Sequence, residues 1–212
     1  MPPFAVLHVC MGNICRSPMA ERLLVLAIQQ RLAKLDTTAT VDDLLRSTSA
    51  GTGGWHEGEE MNPPAARQIR LRGGSDDGFV ARKLRTAHLA DADLILTATA
   101  DQLDYVHALL PDAAERTFVL GHLNRLLPDV DAGALPPAST DPAVFAVRAA
   151  ALIAAAHRVR GDTQAGSEDD LDDPWGRGDQ TFARIADDID ETMYALVDVL
   201  LPDNRRPPVP GS

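Results

Sequence analysis

Phe4-Ala-Val-Leu-His-Val-Cys10-Met-Gly-Asn-Ile-Cys-Arg16-Ser-Pro18-Met-Ala-Glu21 is the stretch that decides the fold. A short run that is apolar almost throughout reads as a buried strand. It stops at a cysteine, and a helical pattern opens at Pro18 and continues to about Leu35. Between them lies one tight loop. A strand, a loop and a helix N-terminus together present several amides and a positive dipole end to an anion. Arg16 adds a planar fork that matches two phosphate oxygens. Ser17 is placed to cap the helix and to donate a hydrogen bond to the sulfur, and Pro18 suits the first helical position. Gly12 allows positive φ and close backbone approach, and Asn13 also tolerates a left-handed conformation. A thiol in such a setting is held as thiolate, the nucleophilic form.

Working outward, a second strand is expected at Leu44 to Ser49. A helix at Pro64 to Arg72 ends at Gly73-Gly74. Leu94 to Ala98 reads as a buried parallel strand, followed by a helix at Asp101 to Leu110 and a short strand at Thr117 to Leu120. Strands alternating with helices imply βαβ units, right-handed crossovers and a parallel sheet. Ligands bind beyond the carboxyl ends of such strands, where Cys10 lies. The last helix, Gln180 to Leu201, has an apolar stripe against an acidic face and packs on the domain. Residues 1–201 thus form one α/β domain, and the Pro- and Arg-rich tail 202–212 is expected to be disordered.

Residues 128–172 hold a Pro/Ala loop, an Ala-rich helix at Pro142 to about Arg160 and a polar segment. They read either as an extra helix pair on the rim with a flexible connector, or as a lid or partner-binding element.

The chain has 212 residues, 45% of them apolar, and a net charge of −11. That charge argues against nucleic acid and anionic membranes as partners. No signal peptide is evident, and no apolar run is read as approaching the length needed to span a bilayer, so a cytoplasmic protein is expected. Two cysteines make no disulfide framework.

The loop matches, at every fixed position, the signature C-x-G-N-x-C-R-S-P-x-A-E, here Cys10 to Glu21. Asp173-Pro174-Trp175 stands far downstream, before the last helix, and Ser49-Ala-Gly-Thr52, Trp55 and the Ala90 to Leu96 stretch are further landmarks. In these respects the chain resembles the low-molecular-weight protein tyrosine phosphatases over residues 4–127 and 173–201. The resemblance implies a four-stranded parallel sheet of order 2-1-3-4 with helices on both faces. It also implies hydrolysis of phosphotyrosine in a protein substrate, with inorganic phosphate as product and no cofactor or metal. Cys10 would be the nucleophile and Arg16 the phosphate clamp. Met11, Gly12, Asn13, Ile14, Cys15, Arg16 and Ser17 would form the phosphate loop.

Expelling a tyrosyl oxygen, whose pKa is near 10, calls for a carboxylic acid within reach. Asp173 is the expected acid, because only it in the run Glu168, Asp169, Asp170, Asp172, Asp173 precedes a proline. The neighbouring acids read mostly as a solvated loop, although clustered like charges would raise its pKa. Met11, Trp55, His56 and Trp175 are expected to wall the cleft, with a core position as the alternative for Trp55. Trp175-Gly176 stands where the family usually has tyrosine, which bears on substrate context.

In the family the second loop cysteine, here Cys15, can form a reversible disulfide with the nucleophile; a buried packing thiol is the other reading. Phe79 stands where several relatives keep a histidine that braces the loop asparagine, so the surroundings of Asn13 should differ here. His8 is expected to be a satisfied strand histidine rather than a base for Cys10, and His157 lacks metal-ligand spacing. An arsenate reductase would need further cysteines, and a non-catalytic phosphate-binding module would lack the nucleophile or the acid. Phosphoarginine is an alternative substrate.

Overall fold

Four parallel strands order the molecule, and the computed structural model describes them within residues 2–161 and 163–203. They are β1 (Phe4–Cys10), β2 (Leu45–Gly51), β3 (Leu94–Thr97) and β4 (Thr117–Val119), in the order β2-β1-β3-β4. β1 lies at the centre and is buried along its whole length, which is why its sequence shows no polar alternation. The register pairs Cys10 with Gly51 and Val9 with Thr97, so the loop after β1 leaves the sheet where two strands end together. That is the crevice where open α/β sheets take ligands.

The helices are α1 (Arg16–Lys34), α2 (Val41–Leu44), α3 (Pro63–Leu71), α4 (Thr86–Ala90), α5 (Ala100–Leu109), α6 (Leu120–Leu126), α7 (Pro142–Arg160) and α8 (Asp179–Leu200). The pleat of β1 sends Val6 and Cys10 into the larger core, with Leu23 and Leu24 of α1, Phe118, Phe145 and Phe182. Leu7 and Val9 enter a smaller core with Leu89, Ile95 and Val106 on the opposite face. α8 buries Phe182, Ile185, Ile189, Met193 and Leu196 on one side. On its other side Asp187 and Asp190 both bind Arg72 of the α3 terminus.

Three expectations are corrected here. α1 begins at Arg16, with Cys15 at its N-cap and no side-chain cap, so Ser17 is not the cap and Pro18 is not the first helical residue. Pro18 sits in the first turn, where a missing N–H costs no helical hydrogen bond. Secondly, α7 is long and apolar enough to cross a membrane, with a mean hydropathy of 1.4. Here it buries Phe145, Ala149, Leu152 and Ala156, and Arg148 donates to the Val199 carbonyl. One helix packed into the core thus occupies the middle of 128–172, and not a helix pair on the rim. Thirdly, β2 extends to Gly51, two residues past the expected end. The expected disordered tail lies, from residue 204 on, outside the described residues.

Candidate active site

The loop from Cys10 to Arg16 is turned by hydrogen bonds that pull its carbonyls outward. Thr52 donates to the Cys10 carbonyl, Gly53 to Met11, Asn62 to Ile14 and Met19 to Cys15, at 2.9 to 3.1 Å. In a trans peptide the C=O and the following N–H point in opposite directions. The amides of Met11, Gly12, Cys15 and Arg16 are therefore turned toward the loop interior. β2 has to come close for this: a Cβ on Gly51 would stand 2.7 Å from the Met11 carbonyl oxygen.

Asn13 takes the left-handed conformation, with φ at 56°, while Gly12 does not. The need for a small residue at Gly12 is steric, because a Cβ there would lie 3.1 Å from the His56 ring. The Asn13 side chain holds the loop together. Its amide donates to Ser17 Oγ at 3.0 Å and Ser49 Oγ at 2.8 Å, and its oxygen accepts from the Arg82 amide at 2.8 Å. Ser49 in turn donates to Glu21 at 2.6 Å. Burial pushes the Glu21 carboxyl above its ordinary value, against the opposing pull of Ser49, Arg22 and Arg82. Phe79 is in the core, and Ser49 with the Arg82 backbone braces Asn13. Ser49, Glu21 and Arg82 were not singled out as site residues. The register that sets Cys10 opposite Gly51 also brings Ser49 beside the loop.

The Cys10 sulfur is buried and receives the Asn13 amide at 3.3 Å, with Ser17 Oγ at 3.0 Å. His8 bonds to Ser47 Oγ at 3.1 Å, and burial lowers its pKa to about 3. It is a neutral strand histidine not hydrogen-bonded to the thiol, but it is not fully satisfied as expected, because among the described residues its buried Nδ1 has no hydrogen-bond partner. Cys15 is also buried and free. Burial pushes its thiol up to about 12, reinforced by Cys10 and Asp173. Ile14 is buried beneath the loop.

Arg16 is 5% exposed. It donates to the Leu171 carbonyl at 3.0 Å and lies 3.3 Å from the Asp173 carboxylate. Asp173 is half exposed and accepts the Trp175 amide at 3.2 Å, so the Asp-Pro-Trp turn sets its direction. Cys10, Arg16 and Asp173 line one cleft with Met11, Gly12, Trp55, His56 and Trp175. Its volume is about 160 Å³. Drug-sized ligand pockets run to roughly 300–1,000 Å³, so this one suits a single side chain. Trp55 is 73% exposed, which rules out a core position. The His56 ring meets Trp175 at 5.2 Å between centroids, tilted by 46°, while its Nδ1 bonds to Glu59 at 2.8 Å.

The acids preceding Asp173 are not a cluster of free charges. Asp169 binds Arg125 through both oxygens, at 2.8 and 3.1 Å. Asp170 accepts the Ala100 amide at the start of α5, and Leu171 donates to the Ala98 carbonyl, each at 2.8 Å. Asp172 binds Arg184 at 2.6 Å. Gly121 makes room for this loop, since a Cβ there would stand 2.5 Å from the Asp169 carbonyl oxygen. No signal in the sequence marks Gly121. His157 bonds to Arg160 at 2.5 Å.

Comparison with known proteins finds relatives in both sequence and fold. Residues 5–159 match the family model described as low molecular weight phosphotyrosine protein phosphatase. The chain is 36% identical over 105 residues to a low molecular weight protein-tyrosine-phosphatase, YfkJ, of Bacillus subtilis, covering 50% of this chain and 62% of that one. It is 41% identical over 108 residues to low molecular weight protein-tyrosine phosphatase A of Mycobacterium tuberculosis, covering 51% and 57%. The chain thus spans less than two thirds of the length of these two relatives. Among solved structures, the YwlE arginine phosphatase of Geobacillus stearothermophilus superposes with a TM-score of 0.59 at 21% identity, covering 92% of each chain.

Proposed function

From its membership of the low molecular weight phosphotyrosine protein phosphatase family, we propose that this chain hydrolyses phosphotyrosine in protein substrates through a cysteinyl-phosphate intermediate. The observation that carries the reading is the meeting of a buried thiol, a buried guanidinium and a half-exposed carboxylate in one small cleft.

The phosphoryl oxygens take the place that Asp173 partly fills at Arg16, and the inward amides of the loop bind them. Cys10 Sγ, hydrogen-bonded to Ser17 and the Asn13 amide, attacks phosphorus. The S–P bond forms as the bond to the phenolic oxygen breaks, and the Asp173 carboxyl gives its proton to that oxygen. Water then attacks phosphorus and loses its proton to Asp173. The S–P bond breaks, and phosphate and the thiolate are released. Trp55 and Trp175 offer flat apolar walls to the ring of the substrate.

A guanidinium is also flat and stacks on tryptophan, so phosphoarginine belongs in the test. The wild-type protein and Cys10→Ser are compared on para-nitrophenyl phosphate and on peptides carrying phosphotyrosine, phosphoserine or phosphoarginine. The expected result is turnover of the aryl ester and the phosphotyrosine peptide, with no turnover by Cys10→Ser. Activity retained in Cys10→Ser overturns the mechanism. Phosphoserine or phosphoarginine cleaved faster than phosphotyrosine overturns the substrate.

A further inference from the structure

The charges around the cleft are unevenly neutralised. In the loop that carries Trp55 and His56, Glu57 is paired with Arg85 at 3.2 Å and Glu59 with His56 at 2.8 Å. On the other wall Asp173 is paired with Arg16, Asp172 with Arg184 and Asp179 with Arg67. Most carboxylates that would give the rim a negative field are thus cancelled within it. Two exposed cations are not: among the described residues, neither Lys83 nor Arg177 has an ion-pair partner. The unpaired carboxylate of the Trp55 loop, Glu60, stands five residues past the tryptophan, next to the buried Met61.

Both cations are held beside the cleft walls. The Lys83 stem lies against Gly54, the residue before Trp55: a Cβ on Gly54 would be 3.1 Å from Lys83 Cδ. The Lys83 strand segment is itself fixed, since Lys83 bridges Gly51 and its neighbours exchange backbone hydrogen bonds with Gly51 and Gly58. Arg177 closes the acid-loop turn by donating its amide to the Pro174 carbonyl at 2.9 Å, two residues beyond Trp175. Among the described residues, an unpaired cation thus packs on the residue before Trp55 and another stands in the same turn as Trp175, on a chain whose net charge is −11.

Resting on the phosphotyrosine reading above, we propose that Lys83 and Arg177 are specificity-determining residues that select phosphotyrosines flanked on both sides by acidic residues. A peptide whose phosphotyrosine enters between the two tryptophans sends its chain outward along both walls, and its flanking carboxylates meet a cation on each. Exposed ion pairs of this kind are worth about two- to fivefold each and weaken with salt.

The test compares kcat/KM for three phosphotyrosine peptides, with Glu, Ala or Lys on both sides, in wild type, Lys83→Glu, Arg177→Glu and the double variant. Para-nitrophenyl phosphate serves as the substrate without flanks. The expected order in the wild type is Glu over Ala over Lys, narrowing at high salt. Each single variant should reduce the preference about two- to fivefold, and the double variant should reverse it with the aryl ester unaffected. A preference unchanged in the double variant overturns the proposal, as does wild type that cleaves the three peptides equally. Aryl-ester turnover with no cleavage of any phosphotyrosine peptide overturns instead the phosphotyrosine reading on which it rests.

Discussion

The phosphate loop and the acid loop face one another across the same cleft, yet they are held in different ways. Cys10 and residues 13–17 are buried, with Met11 exposed at the cleft, and the loop is tied together at short range by Asn13, Ser17 and the first turn of α1, with Ser49 and the Arg82 backbone from the adjoining segments. The acid loop exposes Asp173 and Trp175, and its internal bonds close two short turns, at 166–170 and 173–177. It hangs from α5, α6, α8 and the end of β3 by separate anchors at Asp169, Asp170, Leu171 and Asp172. A binding loop for one fixed group gains from preorganisation, whereas a proton donor has only to be brought within reach of a leaving oxygen. The Arg16–Asp173 pair joins the two, and an incoming phosphate would compete with it.

Removing the acid while leaving its loop anchored gives the sharpest test of that division. Asp173→Ala should lower kcat on a phosphotyrosine peptide by about 10²–10⁴. The loss should be much smaller on para-nitrophenyl phosphate, whose leaving group needs less help. Steady-state kinetics on both substrates measure the split. An equal loss on both would mean that Asp173 acts by holding Arg16 and not by giving a proton.

Gly121→Ala tests whether the acid loop can be shifted without touching the phosphate loop. The new Cβ meets the Asp169 backbone, which no side-chain rotation relieves, so a cost of about 1–3 kcal/mol in stability is expected. Turnover of phosphotyrosine peptide should fall while phosphate inhibits as before. Weakened phosphate inhibition would show that the two loops are coupled more tightly than their anchors suggest.

Acid separates the two regions less strongly. Burial lowers His8, on the strand that feeds the phosphate loop, to about 3. The unfolded chain takes up a proton below about 6.5 that the folded chain refuses. Stability should therefore fall as pH drops from about 6.5 toward 3, by about 1.4 kcal/mol per pH unit for this one group. His88, His107 and His122, also lowered chiefly by burial, add to it. Asp169 is opposite in kind. Burial raises it, but Arg125 and the Gly166 amide outweigh that and hold it below the ordinary carboxyl value of 3.8. Its anchoring is present above about pH 3.8 and is lost only as pH falls through the lower folded value. Urea unfolding between pH 7 and 4.5 should thus show a steep loss while proteolysis of the acid loop stays constant. Stability that is flat across that range would refute the burial of a neutral His8.

The difference in construction also explains what could be read in advance. The phosphate loop is legible because its determinants are neighbours in sequence: a strand, a left-handed asparagine, a serine beside the sulfur and a helix start lie within nine residues. Even there the helix starts at Arg16, two residues before the Pro18 that the pattern favours, because the loop closes on Cys15 itself. Asp173 was legible through the proline that follows it and through the resemblance, but its anchors were not. Asp169, Asp170 and Asp172 read as a solvated run, and only their partners at Arg125, Ala100 and Arg184 make them structural. The bracing role of Ser49, visible only as a landmark, and the part played by Gly121 are hidden for the same reason. α7 reads as an apolar rim helix until Phe145 and Leu152 are seen in the core.

By itself, then, the sequence determined the strand order of events along the chain, the phosphate loop and the identity of the thiol, because those depend on local periodicity and local hydrogen bonding. Tertiary structure alone decided which carboxylates are free, which cations remain unpaired at the rim and how Asp173 meets Arg16. Those depend on contacts between different elements of the fold, such as Arg125 with Asp169, Ala100 with Asp170 and Arg16 with Asp173, and the packing of the sheet and helices, not local spacing, brings such residues together.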